Sequence, residues 1–362
     1  MKQKSKYNVA ILGATGAVGE EMLKILEERN FPVDKLVLLA SHRSVGRKYV
    51  FKDREIAVQE LTEDSFSAPA KKLAGPSSGG KGGSASGGRG IDIVLANAGS
   101  SISKKFAFLA VKEGAIVIDN TSAFRMDPKV PLVIPEINAG DIKKHKGIIA
   151  NPNCSTIIML VPIYPIHKFN RIKRIIVSTY QAASGAGAKA MKELEDQSRD
   201  ILEGRPAKKE IFPHQIAFNL FSHNSAIRDE GYNEEEIKMI KEKKKIFHDD
   251  KIKINATTIR VPVFRAHSES ITLELTKKPD LNQIQKILSK APGVKIVDDR
   301  DKNYFPMPLD ASGKDDVLVG RIRKDLSSEK GLCLFVSGDQ LRKGAALNAV
   351  QIAEILCGLK VR

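Results

Sequence analysis

Short apolar runs alternate with amphipathic stretches in the first half of the chain. Strand-length apolar runs lie at residues 7–12, 35–40, 91–96 and 115–119, and helix-like stretches lie at residues 17–28 and 104–113. Within residues 17–28 the apolar side chains recur at the spacing of one helix face. This alternation predicts βαβ units, and therefore a mainly parallel sheet with helices on both faces.

The pattern changes from about residue 156. Strand-like runs lie at residues 172–181, 257–264, 270–275 and 331–337, and long helix-like stretches lie at residues 186–203, 233–247 and 281–290. This pattern predicts a second domain of the α+β class with a mixed or antiparallel sheet. The last amphipathic stretch, residues 345–359, has an apolar face that we expect to pack on the first domain.

We therefore predict an α/β protein of two domains. Residues 1–155 would form a Rossmann-type dinucleotide-binding domain completed by a C-terminal helix within residues 341–362, and residues 156–340 would form the α+β domain. Residues 67–90 interrupt the first domain with eight glycines, four basic residues and no acidic residue. Such a segment buries too little apolar surface to offset its ordering entropy, so we expect a flexible surface insertion.

The composition narrows the functional classes. The 362 residues include 59 basic and 43 acidic side chains, which gives a net charge of +16. Because this charge is spread along the chain and accompanies no nucleic-acid-binding motif, we do not expect nucleic-acid binding. No apolar run reaches the roughly 18 residues that a membrane span needs. We predict neither membrane insertion nor a metal site.

The cysteines and the N-terminus indicate the compartment. Three cysteines, Cys154, Cys333 and Cys357, are too few and odd in number for a disulfide framework, which favours a reducing compartment. The N-terminus passes directly into an apolar run at residues 9–12, which leaves no room for a signal or transit peptide. We expect a cytoplasmic protein, and a plastid location after removal of a presequence stays open.

A glycine-rich turn follows the first predicted strand. Gly13, Gly16 and Gly19 have the spacing GxxGxxG and lie where that strand gives way to the first helix. Glycines allow a tight turn and a close approach of backbone N–H groups to a pyrophosphate at the positive end of a helix. The predicted dinucleotide contacts of this turn are Gly13, Thr15, Gly16, Ala17 and Val18.

The end of the second predicted strand distinguishes between the two nicotinamide cofactors. Enzymes that use NAD usually place an acidic residue there to hold the ribose 2′-hydroxyl. This chain instead has Ser41, Arg43 and Ser44, and no acid. Because hydroxyls and a guanidinium suit a 2′-phosphate, we predict NADP as the cofactor.

Cys154 has polar neighbours, unlike the other two cysteines. The sequence NPNCST at residues 151–156 lies between a strand-like run and an apolar helix-like run, which places Cys154 near a helix N-terminus. Backbone N–H groups and the helix dipole there favour the thiolate and can stabilise an oxyanion. We predict Cys154 as a nucleophile, with Asn153 as an additional side-chain donor.

A cysteine nucleophile needs an acid/base partner. His267, in the sequence RVPVFRAHSES, is predicted to follow the end of a strand that contains a proline, and catalytic groups often lie at strand ends. The residues alone leave His214 and His223 open as rivals for this role.

Seven motifs together resemble the aspartate-semialdehyde dehydrogenase family. They are GATGAVG, DNTSAFRM, NPNCST, YQAASGAGAKAM, NEEEIKM, RVPVFRAHSES and GDQLRKGAALNAVQIAEIL, in order over nearly the whole chain apart from residues 67–90. The resemblance implies that NADPH reduces L-aspartyl 4-phosphate to L-aspartate 4-semialdehyde and phosphate through a thioester on Cys154. It places this reaction on the route to lysine, threonine, methionine and isoleucine.

The resemblance also implies a role for individual residues. The implied set comprises His267 as the proton shuttle, Gln181 orienting the acyl-enzyme, Arg260 on the substrate α-carboxylate, Glu235 on the α-ammonium, Lys238 and Arg125 on phosphate, and Ser184, Gly185 and Asn348 beside the nicotinamide. Taken singly, each of the four charged side chains is more typical of a solvated surface. The resemblance further implies a homodimer or homotetramer in which the second domain is both the catalytic and the dimerisation domain.

One departure from the family pattern concerns the cofactor. Members commonly have Gly-Gly or Ala-Gly-Gly after the fourth strand, where this chain has Gly99, Ser100 and Ser101. Ser100 is therefore expected to alter a pyrophosphate or ribose contact.

Two alternatives stay open. One is a reductase of N-acetylglutamyl phosphate on the same architecture, whose acetylated substrate offers no ammonium group to Glu235. The other is a basic binding or scaffolding protein without activity, against which the intact set of Cys154, Gln181, Arg260 and His267 speaks.

Overall fold

The computed structural model describes residues 4–67 and 90–361, and it divides the chain into two compact units. The first comprises the described parts of Met1–Val133, Gly140–Asn151 and Ala349–Arg362, and the second comprises Ile134–Ala139 and Pro152–Asn348. The domain boundaries at 155/156 and 340/341 stay predictions. The predicted flexible insertion, apart from residues 67 and 90, lies outside the described residues.

A mainly parallel sheet forms the first unit. Its described strands are β1 (Tyr7–Leu12), β2 (Val33–Ala40), β3 (Lys48–Phe51), β4 (Arg54–Glu60), β5 (Ile93–Ala96), β6 (Ile116–Asp119) and β7 (Ile148–Ala150). Their order is β3-β4-β2-β1-β5-β6-β7, and each neighbouring pair is parallel except β3 and β4. The central strands β1 and β5 are buried throughout, as continuous apolar runs in parallel sheets usually are.

Two helices connect parallel strands of this sheet. α1 (Ala17–Glu28) lies between β1 and β2 in the chain, and α2 (Ser100–Lys112) lies between β5 and β6. α1 buries Met22, Ile25 and Leu26, which is the face that the apolar spacing predicts. The βαβ arrangement and the mainly parallel sheet are confirmed.

The hairpin of β3 and β4 was not predicted. Its two strands are joined by Lys52 and Asp53, which both have left-handed backbone with φ of 48° and 61°. A positive φ at both central residues is the mark of a type I′ turn, but this turn has neither the Asn-Gly nor the Asp-Gly pair that signals one. The strands themselves are largely exposed, so they show no strong apolar alternation.

A mixed sheet forms the second unit. Its described strands are β8 (Ile172–Gln181), β9 (Phe221–Ser222), β10 (Lys253–Arg260), β11 (His267–Leu275), β12 (Val294–Ile296), β13 (Val317–Lys324) and β14 (Gly331–Gly338). The order is β12-β13-β14-β11-β8-β10-β9. Two pairs, β8–β10 and β12–β13, are parallel and the others are antiparallel, which confirms the predicted mixed sheet.

Helix α4 lies in the core of the second unit. The helices of this unit are α3 (Pro135–Asn138), α4 (Cys154–Phe169), α5 (Ala188–Leu202), α6 (Glu234–Phe247), α7 (Leu281–Leu288) and α8 (Pro308–Ala311). α4 packs against β8, β11 and β14 and against α6 and α7, and its residues 155–163 are all buried. A helix that is apolar on all sides is a buried one. Among the described residues, no helix is both long and apolar enough to span a membrane.

Two details of the second unit differ from the sequence-based prediction. The strand predicted at residues 257–264 is β10, which ends at Arg260, before Pro262. Proline has no N–H to donate to a neighbouring strand. The prediction that His267 follows the end of a strand was therefore wrong, because His267 is the first residue of β11. The unpredicted β13 contains a bulge at Arg321, whose φ is 54°.

Helix α9 (Leu347–Leu356) is the last element of the chain. From Ala349 onward its residues belong to the first unit. There the Glu354 carboxylate accepts two hydrogen bonds from the Arg29 guanidinium, at 2.7 and 2.8 Å. Cys357, just beyond the helix, is buried, as expected for a small core side chain.

Gly19 allows α1 to pack closely on the turn that follows β1. A Cβ atom at Gly19 would lie 2.3 Å from the Gly13 carbonyl oxygen and 2.8 Å from the Ala14 Cα atom. Both are backbone atoms, so the turn itself would have to shift. At Gly16, whose φ is −87°, the nearest atom to such a Cβ is 3.5 Å away. Of these two glycines, Gly19 is the one that close packing requires.

We expect Gly19→Ala to lower the free energy of unfolding by about 1–3 kcal/mol, the usual effect of overpacking. Gly16→Ala is the matched control in the same turn and should lower it much less. Urea unfolding followed by far-UV circular dichroism would measure both variants. Equal stability of the two variants would contradict the packing argument.

Glu269 is a carboxyl group in the core of the second unit. Its side chain is fully buried, and neither of its carboxyl oxygens has a hydrogen-bond partner among the described residues. Its neighbours in strand register are Thr179 on β8 and Val336 on β14. Burial raises the pKa of Glu269 well above its ordinary value. The native state therefore binds this proton more tightly than the unfolded chain does.

The stability that Glu269 contributes should be present at low pH and disappear as pH rises. Because its folded pKa is raised, the loss begins above the unfolded pKa of about 4.3. Glu269→Gln removes the ionisation, so its thermal midpoint should fall less between pH 5 and pH 8 than that of the wild type. Glu274→Gln, an exposed position on the same strand, is the control and should follow the wild type. The same pH dependence of the thermal midpoint in wild type and Glu269→Gln would contradict a raised pKa of Glu269 in the folded protein.

Candidate active site

Cys154 is the first residue of helix α4 and is partly exposed. The residue before it, Asn153, has extended backbone and caps the helix, because its side-chain oxygen accepts a hydrogen bond from the Thr156 N–H at 3.2 Å. The sequence thus predicted the position of Cys154 correctly. The uncompensated N–H groups at a helix start favour a thiolate over a thiol.

Helix α6 holds the start of α4 in place. The Asn153 backbone N–H donates to Glu242, and the Asn153 side-chain amide donates to Glu235, each at 2.6 Å. Glu235 and Glu242 lie two turns apart on one face of α6, and both are buried. The sequence analysis missed Glu242. One amide hydrogen of Asn153 is occupied by Glu235, which leaves the second for a substrate.

Glu235 is a buried carboxylate with two partners. Lys238, one turn further along α6, donates to its second oxygen at 3.0 Å. Burial by itself would raise the pKa of Glu235, but the charge and hydrogen bond of Lys238 and the hydrogen bond of Asn153 outweigh it and lower the pKa to about 2. Glu235 is therefore ionised at neutral pH. Its residue type alone is more typical of a solvated surface, but here the side chain is buried.

Three polar side chains meet at one edge of the second sheet. β8 and β10 run parallel and end in register at Gln181 and Arg260. β11 is antiparallel to β8 and begins at His267. The ends of β8 and β10 and the start of β11 therefore lie together, and all three side chains are buried. The Gln181 amide donates to the Thr179 hydroxyl at 3.3 Å.

Arg260 has a partner on each guanidinium nitrogen. Nη1 donates to the Ala182 carbonyl oxygen at 3.1 Å, Nη2 to His223 Nε2 at 2.9 Å, and Nε to the Asn224 side chain at 3.3 Å. His223, which the residues alone left open as an acid/base, is thus bonded to Arg260. The sequence analysis did not foresee this contact.

Burial and two nearby residues affect the pKa of Arg260 in opposite directions. Burial lowers its pKa, while Glu235 and Cys154 act in the opposite direction. An arginine remains charged under such an influence.

His267 is fully buried, and only one of its ring nitrogens has a partner. Nδ1 accepts a hydrogen bond from the Ala182 N–H at 3.1 Å, whereas Nε2 has no partner among the described residues. Because an amide N–H can only donate, the neutral ring must carry its hydrogen on Nε2. Burial, followed by the charge of Arg260, lowers the pKa of His267 to about 3. The ring is neutral at pH 7 and presents Nε2–H as a free donor.

Gly185 leaves the space in which Arg260 and His267 approach each other. A Cβ atom at Gly185 would lie 2.8 Å from Arg260 Nη1 and 3.1 Å from His267 Nε2. Any larger residue would displace one of the two side chains. The neighbouring Ser184 is bonded to the side-chain amide of Gln340, whose oxygen accepts from the Ala266 N–H at 2.9 Å. Gln340 is a further contact that the sequence analysis missed.

A short π-helical turn, Arg342–Ala346, lies against the nucleophile. A Cβ atom at Gly344 would be 3.0 Å from the Cys154 Cβ atom, so only glycine fits without displacement. Lys343 is buried and pairs with Glu136 at 2.7 Å, and it also donates to the side-chain oxygen of Asn348 at 3.0 Å. Turns of this kind are often found at functional sites. The role of Asn348 beside the nicotinamide stays a prediction.

The first unit carries the predicted dinucleotide loop. Gly13 has a left-handed backbone with φ of 82°, and a Cβ there would lie 2.8 Å from the Asn97 carbonyl oxygen. α1 begins at Ala17 after Gly16, and no side chain caps it. Its free N–H groups suit a phosphate, because the helix N-terminus is the positive end of the dipole.

Other predicted residues of the first unit lie around that loop. The Thr15 hydroxyl is 3.3 Å from the Ser44 hydroxyl, which joins the glycine-rich turn to the loop after β2. Ser41 and Arg43 in the same loop are exposed. Ser100 is the first residue of α2 and hydrogen-bonds to Ser122 at 2.9 Å.

Arg125 is buried in the first unit rather than solvated. Its guanidinium donates to the carbonyl oxygens of Asn120 and Asn151, each at 2.9 Å. Asn151 is the first residue of the NPNCST motif, so Arg125 supports the chain just before the nucleophile. In the parts of the chain that the structure describes, no cluster of three or more His, Cys, Asp or Glu side chains is arranged to hold a metal ion.

Two family models match the chain. The model described as "Semialdehyde dehydrogenase, NAD binding domain" matches residues 8–72 and 84–145, and the model described as "Semialdehyde dehydrogenase, dimerisation domain" matches residues 163–343. The two matches correspond in order to the glycine-rich loop and to the mixed sheet.

Similar proteins match over almost their whole length. The chain is 53% identical to the aspartate-semialdehyde dehydrogenase of Synechocystis and 51% identical to that of Aquifex aeolicus, in each case over 97% of this chain and 98% of the relative. Among solved structures, aspartate semialdehyde dehydrogenase II from Vibrio cholerae, complexed with ASA, is similar with a TM-score of 0.89 at 44% identity, covering 98% of each chain.

Proposed function

Because this chain belongs to the aspartate-semialdehyde dehydrogenase family, whose members are oxidoreductases with a nicotinamide dinucleotide, we propose that it reduces L-aspartyl 4-phosphate to L-aspartate 4-semialdehyde and phosphate. The electron donor is NADPH, and the product feeds lysine, threonine, methionine and isoleucine synthesis. The observation that carries the proposal is the position of Cys154 at the start of α4, next to Asn153, which Glu235 and Glu242 of α6 hold in place. The Vibrio cholerae neighbour with bound ASA supports the same substrate.

Cys154 performs the covalent step. Its thiolate attacks the acyl carbon, the C–O bond to phosphate breaks, and a thioester forms as phosphate leaves. Bound NADPH supplies the hydride that reduces the thioester carbon. The resulting hemithioacetal then breaks its C–S bond, which releases the aldehyde and returns the thiolate. The N–H groups at the start of α4 stabilise the oxyanion in both steps.

His267 holds the proton for these steps on Nε2. The Ala182 N–H fixes the tautomer by occupying Nδ1. In this state Nε2–H donates a hydrogen bond to the oxygen on which negative charge develops. To shuttle a proton the ring must first gain one, which the negative charges of the bound substrate favour because they raise the pKa of His267 from its low value in the free protein. Gln181, at the end of β8, orients the acyl group.

Arg260 and Glu235 bind the two charges of the amino-acid group. The Arg260 guanidinium pairs with the α-carboxylate, and the ionised Glu235 carboxylate accepts from the α-ammonium. Lys238 and Arg125 bind the phosphate group through their positive charges. An N-acetylated substrate offers Glu235 no ammonium group in addition to its Lys238 partner, which disfavours the acetylglutamyl alternative.

The first unit binds the dinucleotide, and we favour NADP over NAD. The turn at residues 13–19 and the open start of α1 fit a pyrophosphate. Ser41, Arg43 and Ser44 offer donors to a 2′-phosphate, with Ser184, Gly185 and Asn348 beside the nicotinamide. The match to a dimerisation domain supports a homodimer built through the second unit, and two such dimers would make a homotetramer.

The first test is the reaction itself. With L-aspartyl 4-phosphate and NADPH, Cys154→Ser should lower kcat/KM at least about a hundredfold, because an alcohol is almost fully protonated at neutral pH. Cys333→Ser, a partly exposed cysteine on β14, is the matched control and should stay within about twofold of the wild type. Full activity of Cys154→Ser, or turnover of only the N-acetylglutamyl substrate, would refute the proposal.

The second test addresses the cofactor. Loss of one charge-assisted contact to the 2′-phosphate corresponds to about 1.5–3 kcal/mol, so Arg43→Ala should lower kcat/KM for NADPH roughly ten- to a hundredfold. The value for NADH should not change. Arg54→Ala, an exposed arginine in the β3–β4 hairpin, is the control. An unchanged ratio of NADPH to NADH use would show that Arg43 does not select the cofactor.

A further inference from the structure

We propose that His223 is a positioning residue that sets the orientation of Arg260 for the substrate α-carboxylate and connects it, through Ser225, to Glu235. This inference rests on the proposed function, because it takes Arg260 and Glu235 as the two groups that bind the amino-acid end of the substrate. It gives a role to a histidine that the covalent chemistry does not use.

The fold brings His223 to the end of β10. The two-residue strand β9 pairs antiparallel with β10, with Phe221 opposite Arg260. His223 follows directly, and its backbone N–H donates to the Thr258 carbonyl oxygen at 2.9 Å. The imidazole is therefore anchored to the same strand that carries the arginine.

The hydrogen bonds of His223 determine its tautomer. Arg260 Nη2 lies 2.9 Å from His223 Nε2, and a guanidinium can only donate. Nε2 must then be unprotonated, so the hydrogen of the neutral ring is on Nδ1. Nδ1 lies 3.1 Å from the Ser225 hydroxyl oxygen, to which it donates. The Ser225 backbone N–H also points at Nδ1, at 3.2 Å, and the shorter contact of Nε2 with the guanidinium decides between the two tautomers.

Ser225 completes the connection to the second substrate-binding group. Its hydroxyl oxygen also accepts from the Glu235 backbone N–H at 3.2 Å. One chain of hydrogen bonds thus runs from the Arg260 guanidinium through the imidazole and the hydroxyl to the first turn of α6. The chain therefore ties the Arg260 guanidinium to the backbone of the residue that carries the second charge.

Arg260 keeps two N–H groups for which the described residues provide no hydrogen-bond partner. Of its five N–H groups, one on each nitrogen is used, by Ala182, His223 and Asn224. One N–H remains on each of Nη1 and Nη2. Two such donors side by side form a bidentate pair with a carboxylate. Without the imidazole, the guanidinium could rotate and lose this arrangement.

The connection requires a neutral imidazole. Burial, and then the charge of Arg260, lower the pKa of His223 to about 4, while Glu235 opposes and Lys238 reinforces the shift. Above that pH the ring accepts from Arg260. Below it, a protonated ring has no acceptor and repels the guanidinium. Substrate binding should therefore weaken as pH falls towards 4, although the substrate α-carboxylate is still ionised there.

The test compares KM with kcat in the direction from L-aspartate 4-semialdehyde, phosphate and NADP. His223→Ala should raise KM for the semialdehyde at least about tenfold and leave kcat within about threefold, with unchanged KM for phosphate and NADP. His223→Gln offers an acceptor and a donor in similar places and should restore most of the loss. His214→Ala is the control, because His214 is an exposed histidine of the same segment.

Two further measurements separate positioning from a general structural role. The competitive inhibition constant of 3-aminopropanal, which lacks the α-carboxylate, should be the same in wild type and His223→Ala. KM for the semialdehyde should rise about twofold between pH 6 and pH 4 in the wild type, because about half of the His223 rings are protonated at pH 4, and it should stay flat in His223→Gln. Equal weakening of both ligands, or an unchanged KM in His223→Ala, would overturn the inference. A wild type without activity on the semialdehyde would instead overturn the proposed function.

Discussion

The hydrogen bonds between Asn153 and helix α6 are the constraint on which the site depends. Through its backbone and side-chain N–H groups, Asn153 is held by Glu242 and Glu235, while its side-chain oxygen caps α4. The start of α4 therefore cannot move independently of α6. Since Cys154 is the next residue, its sulfur is fixed relative to the buried carboxylate of Glu235. Cys154 and the ionised Glu235 are thus kept in one site, where Arg260 and Lys238 supply positive charge.

Glycines decide how closely the reacting groups can approach. Gly344 allows the π-helical turn to lie against Cys154, and Gly185 leaves the space between Arg260 and His267. Neither glycine has a left-handed backbone conformation. Each is required because a larger side chain would not fit beside its neighbours. Buried charges and an unsatisfied imidazole nitrogen normally lower stability. Here these groups lie together at the ends of three strands, in a unit whose helix α4 is apolar on all sides. Such an arrangement is typical of active sites, which often lower the stability of the fold in favour of reactivity.

Several parts of this site were predictable because their signals are local. A strand followed by glycines and an amphipathic helix identifies the dinucleotide loop within about twenty residues of sequence. Polar residues before an apolar helix place Cys154 at a helix start, and three residues separate Glu235 from Lys238 on one helix face. The apolar pattern predicted the wrong strand boundary around a short loop. β10 ends at Arg260, before Pro262, and His267 is the first residue of the next strand.

The sequence by itself determined the alternating elements of the first unit, the apolar core helix and the residue types that the chemistry needs, because periodicity and capping act over a few neighbouring positions. Only the tertiary structure decided which polar groups became partners. Asn153 meets Glu242 from 89 residues away, Gln340 meets Ser184 from 156 residues away, and His223 reaches Arg260 through a two-residue strand. Such contacts depend on strand order and helix packing, and those are set by the burial of the whole apolar core.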